Sequence, residues 1–192
     1  MELTPNGNEK LDFEPANLPQ DHLAAIGLMS AAASHTDSII EMAIAGMLGL
    51  DGEQGWAVTA HMSAPLRTSV LRSAAEIALT DERALNELDV HIEAIKKATE
   101  DRNAMVHGSW CYRESDNAVL LVQQEARTHV SVTSRPVTVN EIKHKALALH
   151  EVGLNLMRFL LAVDKLPGLP RERTRGVNTP KERKARAKKI GK

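Results

Sequence analysis

An arginine, an asparagine directly after it and a histidine five positions beyond the arginine stand together in Asp101-Arg102-Asn103-Ala104-Met105-Val106-His107-Gly108-Ser109-Trp110. An imidazole titrates near neutrality and can give or take a proton, whereas a guanidinium is a permanent, planar set of donors suited to oxyanions. Side by side, Arg102 and His107 offer proton transfer next to stabilised negative charge, which is what metal-free chemistry at phosphorus requires. Asn103 can position either an oxyanion or the imidazole. Thirteen Arg and eight His in 192 residues would give about 0.5 pairs at this spacing by chance. Requiring Asn directly after Arg, with nine Asn in the chain, lowers the expectation to about 0.03.

Other chemistries leave no trace. There is no glycine-rich phosphate loop and no Gly-x-Ser-x-Gly elbow, and His150-Glu151 lacks the second histidine of a zinc-binding helix. The eight histidines show no ligand spacing on a common helical face, so neither a metal nor another cofactor is expected. Cys111 is the single cysteine; it cannot form an internal disulfide, nothing points to an oxidising compartment, and it is expected to pack inward. The opening residues lack a basic segment followed by an apolar one, and the longest apolar stretch, Ala43 to Leu50, is less than half a membrane span. A cytoplasmic protein with no membrane contact is the expectation.

The cluster sits at the end of a helical pattern. Leu85, Leu88, Ile92, Ile95, Thr99, Arg102 and Val106 recur at intervals of three and four, so one stripe runs from apolar residues directly into the guanidinium. Thr80 is the expected N-cap, ahead of Asp81 and Glu82, and Gly108 fits the position just past the helix end. Asn103 and His107 are neighbours one turn apart. Upstream, a helix is expected from Pro19 to about Leu50, its buried face carrying Ile39, Ile40, Ala43, Ile44, Met47 and Leu48. A short helix over Glu53 to His61 follows, then one from Ser63 with Pro65 in its first turn and Leu66, Val70, Ala74 and Ile77 on one side. After Gly108 the period switches to two: Trp110 to Arg113, Val119 to Gln124 and His129 to Thr133 read as short strands around turns at Glu114 to Asn117 and Ala126-Arg127. Asn140 is the expected cap of a last helix to about Asp164. The fold class is therefore mainly α, a bundle of about five helices with a small antiparallel insertion before the last.

Trp110 and Tyr112, two apart on a strand, should face the same way. They offer a stacking platform for an unpaired base or, the favoured reading, they close the bundle over the hairpin. Ser109 is expected to cap the turn rather than to join the chemistry.

Composition agrees with an aliphatic bundle, since only 3% of residues are aromatic and 43% are hydrophobic. The formal net charge of -1 hides an asymmetry. From Pro167 onward there are ten Lys/Arg and two Glu, against fourteen Lys/Arg and twenty-three Asp/Glu before it. Residues 1–18 read as a flexible leader, 19–166 as one helical domain and 167–192 as a basic tail of disordered composition. In that tail Arg183, Lys184 and Arg186 are candidates for nucleic-acid binding, with a plain solvated tail as the alternative.

The Arg-Asn-x-x-x-His pattern at a helix end resembles the signature of the HEPN superfamily, and the likeness extends over the helix-rich arrangement from about Pro19 to Asp164. The resemblance implies a homodimer in which two copies of the motif meet at one cleft. It also implies metal-independent endoribonuclease activity in the active members, in a toxin or phage-defence role with an antitoxin or other partner protein. Carried over, Arg102 and His107 would be catalytic and Asn103 their polar neighbour. RNA would be cleaved by 2′-OH attack, leaving a 2′,3′-cyclic phosphate and a 5′-hydroxyl. The alternative is a non-catalytic dimeric helical adaptor or a module that binds RNA or protein.

Overall fold

The computed structural model describes residues 10–126 and 130–168, with five α-helices and a four-stranded antiparallel sheet among them. A strand β1 (Leu11–Asp12) and a 3-10 turn (Pro15–Asn17) lead into α1 (Gln20–Met47), α2 (Gly52–Thr59), α3 (Ala64–Ala78) and α4 (Glu82–His107). Strands β2 (Ser109–Arg113), β3 (Ala118–Ala126) and β4 (Val130–Pro136) follow, and α5 (Val139–Ala162) completes the bundle. The mainly α class with a small sheet ahead of the last helix is as the residue patterns foretold.

Local chemistry sets most boundaries. α1 gives way at Gly49, whose φ of 65° suits a residue without a side chain. A capping box opens α2: Asp51 accepts from the Gln54 backbone N–H, and Gln54 accepts from that of Asp51. Pro65 lies in the first turn of α3, where its missing N–H goes unnoticed. Two expected caps move. Asp81, not Thr80, caps α4 by accepting from the Arg83 N–H at 2.9 Å, and Thr138, not Asn140, caps α5 by accepting from the Glu141 N–H at 3.2 Å. In each case the residue that takes the cap has extended backbone and a side-chain oxygen facing a free amide.

The last residues of the expected leader belong to the fold. Leu11 and Asp12 pair with Arg113 and Tyr112, so β1 extends the sheet, and Leu18 is buried. The sheet is a simple meander in the order β1-β2-β3-β4, with Trp110 opposite Leu121 and Cys111 opposite Leu120. Alternation therefore puts Trp110 and Leu121 on one face and Cys111, Leu120 and Val122 on the other. Burial pushes the Cys111 thiol up, which keeps it protonated.

Two aliphatic clusters hold the helices. One gathers Ile39, Ile44, Leu71, Leu88, Ile92, Ile95, Leu156 and Leu160 where α1, α3, α4 and α5 meet. The other gathers Met29, Met105, Leu121, Ile142 and Leu149, and joins the sheet to the helices. α1 is, by length and composition alone, long and apolar enough to cross a membrane, and 39% of its most apolar stretch is buried inside the bundle. α1 and α5 cross closely at Thr36, whose hydroxyl lies 3.0 Å from the Ala32 carbonyl and 3.1 Å from that of Leu149. Gly153 is the reason they can, because a Cβ there would stand 2.9 Å from the Thr36 hydroxyl oxygen.

α3 turns a different face inward from the one its larger residues suggest. Thr68, Leu71, Ala74 and Ala75 are buried, while Leu66 is 49% and Ile77 85% exposed. The isoleucines of α1 and α4 already fill this part of the core, leaving room for one leucine and two alanines; Thr68 goes inside because its hydroxyl donates to the Pro65 carbonyl at 2.9 Å. Leu48, expected in the buried face of α1, is likewise exposed beyond the helix end.

Candidate functional site

The last two turns of α4 are fixed from inside and from below. Met105 is fully buried, whereas Asn103 and His107 are exposed and Arg102 is partly covered. The stripe that starts with Leu88, Ile92 and Ile95 thus drifts around the helix and ends on Met105, with Val106 only half-buried. α4 stops because the chain enters β2: the Gly108 N–H donates to the Ala104 carbonyl at 3.1 Å, and the Trp110 indole N–H donates to the Met105 carbonyl at 2.8 Å. Gly108 ends the helix as expected, with a φ of -73°. Space is what requires glycine, since a Cβ would lie 2.4 Å from Leu121 Cδ1 and 2.6 Å from the Ala104 carbonyl oxygen.

Two of the acids that could pair with Arg102 are engaged elsewhere, and Glu100 has no ion-pair partner among the described residues. Asp101 takes Lys145 at 2.7 Å, and Lys145 also faces Glu141, which pairs with Arg135 at 2.9 Å. Glu41, a conceivable partner from α1, takes Arg67 at 3.0 Å. Among the described residues Arg102 has no carboxylate partner: its Nη1 donates to the Asn103 side-chain oxygen at 2.8 Å, and its Nε is buried without an acceptor. His107 has no hydrogen-bond partner among the described residues, and the helix-ending carbonyls that it could have capped are taken by Gly108 and Trp110. The arrangement leaves a guanidinium with spare donors and an open imidazole on the final turns of one helix.

Trp110 and Tyr112 are both half-buried. Trp110 packs on the Met105 and Leu121 cluster and closes the bundle at the hairpin. The Tyr112 hydroxyl donates to the Asn117 side chain within the β2–β3 turn, where Asn117 has a φ of 56°. Both polar tips are therefore committed to the fold. Arg183, Lys184 and Arg186 lie outside the described residues.

A cleft of about 410 Å³ adjoins the motif. It lies between α1, α3 and α4; Ile40, Pro65 and Ile95 supply apolar walls, and Asp37, Ser69, Thr99, Glu100 and Asn103 supply polar edges. Sequence reading reached only Asn103 as a functional residue. On α4 the signal was available, since Thr99 stands one turn before Asn103 and Lys96 a turn earlier. Asp37 and Ser69 come from other helices and have no local signature. The structure also brings His35 and His150 together across α1 and α5, with ring centroids 4.8 Å apart. Among the described residues no group of three or more His, Cys, Asp or Glu is placed to hold a metal.

Comparison of the chain with protein-family models, with curated proteins and with solved structures finds no match in any of the three.

Proposed function

We propose that this protein is a metal-independent endoribonuclease of the HEPN type, with a composite site formed where two copies of the chain meet. The observation that carries the reading is the state of Arg102 and His107. Neither does the structural work such residues ordinarily do: the ion pairs go to Lys145 and Arg67, and the helix end is closed by Gly108 and Trp110. In the reaction the ribose 2′-oxygen attacks phosphorus as its proton passes to the imidazole of His107. The bond from phosphorus to the 5′-oxygen breaks, and that oxygen takes a proton from the imidazolium of the second copy's motif. One imidazole cannot take and give at the same moment, so two copies are needed. Arg102 steadies the charge that collects on the non-bridging oxygens, and Asn103 holds the guanidinium in place.

The test uses full-length protein, a structured RNA and EDTA. Fragments ending in a 2′,3′-cyclic phosphate and a 5′-hydroxyl are expected, and His107→Ala and Arg102→Ala should each abolish them while leaving the thermal midpoint in place. Equal fragmentation by wild type and both variants would overturn the proposal in favour of a non-catalytic adaptor.

A further inference from the structure

The cleft between α1, α3 and α4 ends at Asn103, the residue that binds the Arg102 guanidinium. Its contents suit one flat, partly apolar ring. About 410 Å³ lies near the lower end of ligand-sized cavities, roughly 300–1,000 Å³. Ile40, Ala64, Pro65 and Ile95 give it walls without charge, and Ile40 and Ile95 are themselves buried in the core, so the floor cannot fold away.

The polar groups are at the edges and are underused. Asp37 has one cationic neighbour, the Arg67 Nη1 at 3.8 Å, beyond hydrogen-bond length. Glu100, Ser69, the Thr99 hydroxyl and the amide nitrogen of Asn103 have no hydrogen-bond or ion-pair partner among the described residues. Lys96 at the rim is bound to Glu93 at 2.7 Å. The cleft thus presents two carboxylates with vacant lone pairs, and its field disfavours a phosphate inside while welcoming N–H donors.

We infer that this cleft is the base site for the nucleotide next to the scissile bond and that it selects guanine; the inference rests on the nuclease reading of Arg102 and His107. Guanine alone among the four bases carries two adjacent donors, a ring N–H and an amino group, on its pairing edge. A carboxylate accepts two parallel donors as it does from arginine. Adenine and cytosine offer an amino group without the neighbouring ring N–H, and uracil offers a ring N–H without the amino group. With the base between Ile40, Pro65 and Ile95, its sugar and phosphate leave by the Asn103 end, toward Arg102. The charge pattern has the same polarity, with acceptors inside and the guanidinium outside.

Binding is read separately from cleavage. Full-length protein is titrated with GMP, AMP, CMP and UMP by calorimetry, and GMP is expected to bind at least tenfold more tightly than the others. Asp37→Asn and Glu100→Gln, with the thermal midpoint checked, should remove that preference, and Ala64→Phe, which fills the cleft mouth, should remove binding of all four. Equal binding of the four nucleotides, no binding of any, or a guanine preference unchanged in both carboxamide variants would overturn the base site. Selective GMP binding together with cleavage indifferent to His107→Ala would leave the base site standing and remove the nuclease reading; cleavage without guanine preference would do the reverse.

Discussion

Arg72 reaches α4 from α3 and Arg102 projects from α4 itself, and the fold treats the two in opposite ways. On the α3 side, Arg72 Nε donates to Asp89 at 2.6 Å and its Nη2 to Glu93 at 3.2 Å. Those two carboxylates hold the Arg72 guanidinium still more firmly protonated than usual, and Lys96 with Arg72 holds the Glu93 carboxyl below the usual carboxylate range. At the other end of α4, Arg102 meets only a neutral amide and keeps one buried nitrogen without an acceptor. The first half of the helix therefore uses charge to fasten α3 to α4. The far end leaves it unspent, with Asp101 and Glu41 committed to other cations.

The sharpest way to break this contrast is to exchange the two arginines' fates. Arg102→Met should lower RNA cleavage by about 10²–10³-fold, the usual cost of losing a donor to a developing oxyanion, with little movement of the thermal midpoint. Arg72→Met should leave cleavage intact. If Arg102→Met instead unfolds the protein as a core truncation would, the guanidinium is structural and the two ends are alike.

Ile92→Ala provides the yardstick for such a truncation. The side chain is fully buried in the cluster where α3, α4 and α5 meet, and its loss should cost about 2–5 kcal/mol in denaturant unfolding. Trp110→Phe is milder. It keeps a ring against Leu121 but deprives the Met105 carbonyl of its donor, for about 1 kcal/mol, and it should slow cleavage only as far as it loosens the helix end.

The smallest effect is at the charged end. The Glu93 carboxyl is held low in the folded protein, so its contribution to stability is complete above its unfolded value, about pH 4.3, and disappears as pH falls through the lower folded one. Thermal midpoints of wild type and Arg72→Met should therefore differ slightly at pH 7 and converge toward pH 3. The groups are exposed, so added salt should narrow the difference at pH 7 as well.

What could be read from the residues followed from how local their causes are. The α4 stripe from Leu88 to Ile95, the Pro65 start, the strand alternation after Gly108 and the Arg102–His107 cluster all depend on neighbours within a few positions. The errors arose where distant packing decides. α3 hides Leu71 and Ala75 instead of Leu66 and Ile77 because α1 and α4 occupy the space, a fact absent from α3 itself. β1 is illegible within residues 1–18 because its partners, Tyr112 and Arg113, lie a hundred residues away. Gly108 is legible as the helix end, but what excludes a side chain there is Leu121, across the hairpin. The cleft was invisible for the same cause, since three helices contribute its walls and only Asn103 belongs to the motif.

The closure of α4 has one more consequence. Terminal turns of helices ordinarily fray, so a side chain on the last turn samples many directions before a ligand fixes it. Here the Ala104 carbonyl accepts from Gly108 and the Met105 carbonyl from Trp110 in the strand that follows, and Met105 is anchored in the core. The backbone that carries Arg102, Asn103 and His107 has surrendered its conformational entropy during folding. A ligand arriving at this end meets a preorganised surface and need only order three side chains, so its binding energy is not consumed in building the site.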